Sequence, residues 1–418
     1  MPRCARFASL ALACSLTATS GCAPTPPADG GLVVCCPDGG GRDAGPRDAS
    51  TADPGPGSDA GEAIVDGGVP VDGGALVDGG PLVDGGVPDA GPPLPKHVIL
   101  FIGDGMGAAQ VEAARRFASG GQVPLLFETL PVRGDVSTAN ASGGVTDSAA
   151  AATAMATGHK ANNGVISVAL PGDGAVLPTA LELHAACGHR TGLVTTNTPL
   201  TDATPAAFGA HEASRGNQAE IAADYFTSSR PNLLLGPVGS GITPEAAAAA
   251  GYEVALDEAG LVALDADQVT HVSAQLTSDT TPRLSELVQF SLDVLEEDPD
   301  GFFLFVEHEG TDNGGHGNDL GLIIDSVLEL EEAFAVAEAW AEGSDDTLLV
   351  LTADHETGGL TLTGESSSAG VLPGHAFSTG GHTGVDVPLY ASGPGSELLA
   401  GSIDNTRIFD ALTVGLCP

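Results

Sequence analysis

From His97 onward, short runs of Val, Ile, Leu and Phe alternate with longer segments rich in alanine and leucine, the patterning of an α/β chain. The short runs predict strands at Val98–Ile102, Thr191–Thr195, Asn232–Leu235, Phe302–Val306, Thr347–Leu351 and Val387–Ala391. The longer segments predict helices at Ser148–Thr157, Pro178–Cys187, Asn217–Ser228, Pro282–Glu296 and Leu320–Ala341. Because the strand runs lack polar alternation, they predict strands buried on both faces: a large, mostly parallel central sheet flanked by helices, a three-layer sandwich. Ligands in that architecture bind beyond the carboxyl ends of strands. Polar residues stand there: Asp104 after the first run, Glu307 after Phe302–Val306, and Asp354 with His355 after Thr347–Leu351.

The pattern stops abruptly before Lys96. Arg3 and Arg6 precede an apolar stretch, Phe7–Leu16, that gives way to small residues before Cys22, so Met1–Cys22 predicts an export signal. Thr19-Ser20-Gly21-Cys22 resembles a lipoprotein cleavage site with Thr19 in place of the usual leucine, and the alternative is ordinary secretory cleavage nearby. Either outcome places the mature chain outside the cytoplasm, as a periplasmic or secreted protein or as a cell-envelope or outer-membrane lipoprotein attached through Cys22. Residues 23–96 are rich in Gly, Asp and Pro, with Val-Asp-Gly-Gly recurring at Val65, Val71, Val77 and Val83. This composition predicts a disordered tether, and the globular part is expected over residues 97–418.

The formal net charge of −41 over 418 residues excludes a general nucleic-acid binder. It also sets a problem, because an anionic ligand is repelled unless cations are concentrated at its site. Of seven cysteines, only Cys187 and Cys417 fall in the globular part. They either pair in an oxidising compartment or stand as buried free thiols. Cys35 and Cys36 lie in the tether.

Single aspartates and histidines have bland explanations as caps and satisfied core groups. Here they recur at several strand ends. Glu307-His308-Glu309-Gly310-Thr311-Asp312-Asn313-Gly314-Gly315-His316 places carboxylates and an imidazole where a glycine-rich turn lets them converge. Asp354-His355 is a second pair, and His382 follows two glycines. Oxygen and nitrogen donors without thiolates suit zinc at Asp/His sites and magnesium at all-oxygen sites. Ser148 opens an alanine-rich helical run, where backbone N–H groups favour an anion. The bland alternative makes Asp147 or Ser148 simply the helix cap.

Six segments in order carry a resemblance to the alkaline phosphatase family: Ile102-Gly103-Asp104-Gly105-Met106-Gly107, Asp147-Ser148-Ala149-Ala150, Asp202-Ala203-Thr204-Pro205-Ala206-Ala207, Glu307 to His316, Thr352-Ala353-Asp354-His355-Glu356, and His382-Thr383-Gly384. The resemblance implies hydrolysis of phosphate monoesters through a phosphoserine, with two Zn2+ and one Mg2+. Residue by residue it implies Ser148 as nucleophile and Arg215 as the phosphate grip. Asp312, His316 and His382 resemble the ligands of one zinc; Asp104, Asp354 and His355 resemble those of the other. Asp104 also reaches magnesium, with Thr204 and Glu307 as ligands and Asp202 behind them through waters. Asn313 occupies a variable position beside a zinc ligand.

The chain departs from the family in places. His308 and Glu309 replace small residues, and Glu309 is expected to face solvent; His375 is expected to be peripheral. The globular part is short enough to predict reduced surface insertions, so monomer and homodimer both stay open. The sulfatase pattern is excluded, since Ser148 to Ala152 lacks its proline and arginine. A phosphodiesterase of the same superfamily and a non-catalytic metal- or phosphate-binding envelope protein are the competing expectations.

Overall fold

The apolar runs assemble into one ten-stranded sheet. The computed structural model describes residues 94–276, 282–364 and 368–417. The expected leader, Cys22, the tether up to residue 93, Cys35 and Cys36 lie outside the described residues.

From one edge the strands run Gly401–Asp404, Val132–Ser137, Val387–Ser392, Thr347–Thr352, His97–Gly103, Phe302–His308, Arg190–Thr196, Leu233–Pro237, Val272–Leu276 and Glu253–Ala255. All neighbours pair parallel except Val387–Ser392, which runs antiparallel to both of its partners. Every residue of His97–Gly103, Phe302–His308 and Thr347–Thr352 is buried, which explains runs without polar alternation.

Two separate helix groups cover the sheet. Ala108–Ser119, Leu284–Leu295 and Leu320–Ala341 pack together, as do Ser148–Thr157, Ala180–Ala186, Ala203–Gly209 and Thr406–Leu412. The expected three-layer, mostly parallel architecture is therefore the observed one. Ser148–Thr157 and Leu320–Ala341 have the bounds that their sequences predict. Four sheet strands escape the pattern for physical reasons. Val132–Ser137 and Gly401–Asp404 lie at one edge with much of their length exposed, so polar residues interrupt them. Val272–Leu276 is wholly buried but carries Ser273 and Gln275, and Glu253–Ala255 is only three residues long.

The sheet register builds the floor of a site. Thr195 pairs with Glu307, Glu307 with Ile102, and Ile102 with Thr352, so one row crosses four strands near their carboxyl ends. Glu307 and His308 thus belong to their strand rather than following it.

Cys187, just beyond helix Ala180–Ala186, is bonded to Cys417, with Cα atoms 5.6 Å apart across a sequence separation of 230. The buried-thiol alternative falls, and Cys417 itself is exposed. Closing so long a loop restricts the unfolded chain by up to about 5 kcal/mol. Cys417→Ser is accordingly expected to lower the thermal midpoint by roughly 5 °C, since 1 kcal/mol moves a chain of this size by roughly 1–2 °C. Thermal scans with and without reductant check this, and superimposable transitions would refute it.

Candidate active site

Ser148 is the first residue of its helix and is released from capping. Asp147 is the cap: one carboxylate oxygen accepts from Ala150 N–H at 3.0 Å and the other from Gly164 N–H at 2.8 Å. Ser148 is buried, and its Oγ lies 3.3 Å from His355 Nε2.

Three histidines converge beside it, each held through Nδ1. His316 Nδ1 meets Gly380 O at 2.8 Å, His382 Nδ1 meets Thr146 O at 3.0 Å, and His355 Nδ1 meets Thr357 Oγ1 at 3.2 Å. A proton on each Nδ1 leaves each Nε2 as an available lone pair, the orientation a metal ligand needs. Asp312 Oδ2 lies 3.1 Å from His316 Nε2, and Asp312 Oδ1 lies 3.5 Å from His382 Nε2. His355 and His382 stack with centroids 3.6 Å apart because Glu356–Thr357 pairs antiparallel with His382–Thr383.

Asp104 and Asp354 reach His355 from the sheet. Asp354 Oδ2 stands 3.2 Å and Asp104 Oδ1 3.7 Å from its Nε2. Gly105 makes this possible: its φ is +69°, a Cβ there would lie 2.7 Å from Asp312 Cα, and its N–H holds Asp354 Oδ1 at 3.1 Å. Thr204 Oγ1 donates to Asp104 Oδ2 at 3.1 Å, and Thr195 Oγ1 to Glu307 Oε2 at 2.5 Å. Ligand atoms therefore gather in three groups, each within 4.8 Å: Asp312, His355 and His382; Asp104, Asp354 and His355; Asp104, Glu307 and Glu309.

Two expectations need correction. The stretch after Glu309 is not a turn but an eight-residue helix, Gly310–Gly317, which sets Asp312 and His316 four residues apart on one face. Its glycines serve close packing: a Cβ on Gly315 would lie 2.7 Å from Thr357 O. Glu309 does not face bulk solvent but joins the third carboxylate group.

Arg215 donates to Asp202 Oδ1 at 2.8 Å and approaches Asp147 Oδ2 at 3.4 Å, while Thr198 Oγ1 holds the other Asp202 oxygen at 2.7 Å. Burial alone lowers the Arg215 pKa, but Asp202 and Asp147 outweigh it and keep the guanidinium charged. Asn313 is exposed and stands outside the three groups, and exposed His375 lies in the Leu360–Thr363 and Gly374–Phe377 hairpin.

Residues without a recognisable motif do the positioning. Thr357 accepts from His355 and donates to Asp312 Oδ1. Buried Glu356 accepts from Gln110 Nε2 at 2.7 Å and from the Thr383 hydroxyl, tying the His382 loop to the Asp354 loop. Only the adjacency of Glu356 and Thr357 to Asp354-His355 hints at them in the sequence.

A family profile described as alkaline phosphatase matches residues 95–232 and 255–372. The chain belongs to the alkaline phosphatase family. Alkaline phosphatase 3 of Bacillus subtilis (strain 168) is 31% identical over 407 residues, covering 75% of this chain and 87% of that protein. Streptomycin-6-phosphate phosphatase of Streptomyces griseus is 31% identical over 414 residues, with 78% and 92% covered. The solved cold-active alkaline phosphatase of the psychrophile Shewanella sp. superposes with a TM-score of 0.70 at 30% identity, covering 77% of this chain and 100% of that one. The chain is thus a phosphatase of a metal-dependent family. Among the described residues, no helix is long and apolar enough to cross a membrane.

The electrostatics fit the metals an alkaline phosphatase takes. Asp104 Oδ1, Asp354 Oδ2 and Glu307 Oε1 are buried with no hydrogen-bond partner, at a cost that a cation removes. Burial first, then Asp354 and further carboxylates, hold Asp104 well above the carboxylate range. Burial drives Glu307 to about 8 and Asp354 to about 7. Burial, reinforced by His382 and His316, pushes His355 well below the usual range, so its imidazole is neutral.

A pH dependence follows for the metal-free protein. Carboxyl groups whose folded pKa is raised contribute stability fully below their unfolded values near 4, and that stability is lost as pH rises through about 7 and 8. In chelator, the thermal midpoint is expected to fall by roughly 5 °C or more between pH 5 and 8, each pKa unit being worth about 1.4 kcal/mol. With zinc and magnesium the decline should vanish, because binding needs the deprotonated ligands. Calorimetric scans across pH check both arms, and a flat chelated profile contradicts the reading.

Proposed function

We propose that the chain hydrolyses phosphate monoesters to alcohol and inorganic phosphate, with Ser148 carrying the phosphoryl group between two displacements. The observation that carries this reading is the position of Ser148, relieved of capping by Asp147, with its Oγ 3.3 Å from His355 Nε2 where the ligand groups converge.

Asp312, His316 and His382 would hold one zinc and Asp104, Asp354 and His355 the other; Asp104, Thr204 and Glu307 would hold magnesium, with Asp202 behind them. Magnesium has support in a solved TAB5 alkaline phosphatase variant described with Mg in its M3 site, 29% identical with a TM-score of 0.66. Bound metal ions supply Lewis-acid polarisation of phosphate oxygens and lower the pKa of hydroxyls they contact.

Ser148 gives up its proton and its Oγ bonds to phosphorus as the ester P–O bond breaks, and the departing alcohol takes up a proton. Water then attacks phosphorus, the Ser148–phosphorus bond breaks, and Ser148 recovers its proton. Two in-line displacements retain configuration. Arg215 is placed by Asp202 and Asp147 to grip two phosphate oxygens with its planar fork. The start of the Ser148 helix adds N–H groups directed at the same anion.

The substrate class draws support from Streptomyces streptomycin-6-phosphate phosphatase, whose name describes a phosphorylated small molecule. With zinc and magnesium at alkaline pH, an aryl phosphate monoester is expected to give kcat/KM at least about tenfold above that of the bis-aryl diester, a difference worth about 1.4 kcal/mol. A faster diester would replace this reading with a phosphodiesterase.

Export is part of the proposal. The Cys187–Cys417 bond and the basic, then apolar, start of the chain support an oxidising compartment. In that arrangement residues 1–22 are the leader, residues 23–96 the tether and residues 97–418 the catalytic domain. Cys22 is the lipid anchor if cleavage is of the lipoprotein type.

A further inference from the structure

Glu309 stands where the family resemblance offers no ligand, yet it is built into the third carboxylate group. Its backbone is fixed on both sides. Its N–H donates to Thr196 O at 3.3 Å, and its carbonyl accepts from Asp312 N–H at 3.0 Å and Asn313 N–H at 3.3 Å. It immediately precedes the helix Gly310–Gly317. From there a Glu309 carboxylate oxygen comes within 4.8 Å of ligand oxygens of Asp104 and Glu307.

Nothing in the protein compensates this arrangement. Asp104 and Glu307 are fully buried, and Asp104 Oδ1 and Glu307 Oε1 have no hydrogen-bond partner. The charged groups acting most strongly on Glu309 are Glu307, Asp312, Asp202 and Asp354, all carboxylates. Three like charges this close are tolerated only around a cation. Thr204 Oγ1, 3.1 Å from Asp104 Oδ2, adds a fourth oxygen to the same place.

We propose that Glu309 is an additional protein ligand of the third metal site, so that a hard divalent cation there is held by three carboxylates and the Thr204 hydroxyl. This rests on the reading that the third site holds a cation at all. Magnesium usually takes one or two protein carboxylates and keeps several waters. A third carboxylate replaces one water, tightens the site, and favours ions that accept many oxygen ligands, such as Mn2+.

The test uses Mn2+ as the probe, on the full chain with zinc loaded first. Binding is read by electron paramagnetic resonance, and exposed metal waters are read by solvent-proton relaxation. The unaltered protein should bind one Mn2+ beyond its zinc. Glu309→Gln and Glu309→Ala should each weaken that binding by at least about tenfold, with zinc content unchanged. Glu309→Ala should also raise the relaxation per bound Mn2+, as water enters the vacated position. Failure of the unaltered protein to bind Mn2+ or Mg2+ would remove the third site itself, and this inference with it. Equal Mn2+ affinity in all three proteins would overturn the role of Glu309 while leaving the site intact. Should Glu309→Ala fold poorly, Glu309→Gln keeps the side-chain volume and decides alone.

Discussion

Ser148→Ala is expected to reduce kcat for an aryl phosphate monoester by roughly 10³-fold or more, as when other covalent nucleophiles are removed, while leaving zinc and magnesium content unchanged. The separation of the two effects follows from the geometry. Asp147 caps the helix, so the hydroxyl of Ser148 has no structural duty there, and its one hydrogen-bond contact is His355 Nε2 at 3.3 Å. Alanine at the first helical position propagates the helix at least as well as serine. The thermal midpoint should therefore stay within about 2 °C of the parent, since substitutions away from packing and polar networks stay within roughly 0.5 kcal/mol. Parallel measurements of kcat, metal content and melting check this. An active variant would remove Ser148 from the mechanism, and loss of metal together with activity would make it a structural residue.

Asp104→Asn should produce the second large effect, with a sign that depends on metal. Asp104 belongs to two ligand groups, with Asp354 and His355 on one side and Glu307 and Glu309 on the other. Replacing its carboxylate weakens both groups together, so more than one equivalent of metal is expected to be lost, and kcat to fall by roughly 10³-fold or more. The metal-free protein should respond in the opposite sense. There Asp104 is a fully buried carboxyl held well above its usual range by burial and by Asp354, Glu309, Asp312 and Glu307. Neutralising it removes like-charge repulsion that grows as the pH rises. Chelated Asp104→Asn should melt above chelated parent at pH 8, and metal-loaded Asp104→Asn below metal-loaded parent. The same ordering with and without metal would refute the account of the buried charges.

The legible parts of the fold were those where one force dominates. His97–Gly103 and Phe302–His308 are buried throughout, so hydrophobic runs reveal them, and Leu320–Ala341 is long and begins at Asp319, which caps it. Gly310–Gly317 was illegible as a helix because glycine is a poor helix former; packing against Thr357 and Ile323 overrides that propensity. Val272–Leu276 was hidden by Ser273 and Gln275, polar residues inside a buried strand.

The site divides in the same way. Asp104, Asp312, Asp354, His355 and His382 carry their chemistry in their side chains and sit in recognisable segments, and the structure brings them together. Thr195, Glu356 and Thr357 act by holding Glu307, Thr383 and Asp312, a role that appears only once distant segments meet. Glu309 escaped because nothing in its sequence context distinguishes an inward carboxylate from a solvated one.

The most direct test of the central claim is to quench the zinc- and magnesium-loaded enzyme in acid during exposure to inorganic phosphate, then locate the phosphoryl group by peptide mass spectrometry. The account predicts phosphorylation at Ser148, absent from Ser148→Ala. A phosphoryl group on any other residue, or its absence together with inversion at a chiral phosphorus during turnover, would contradict it.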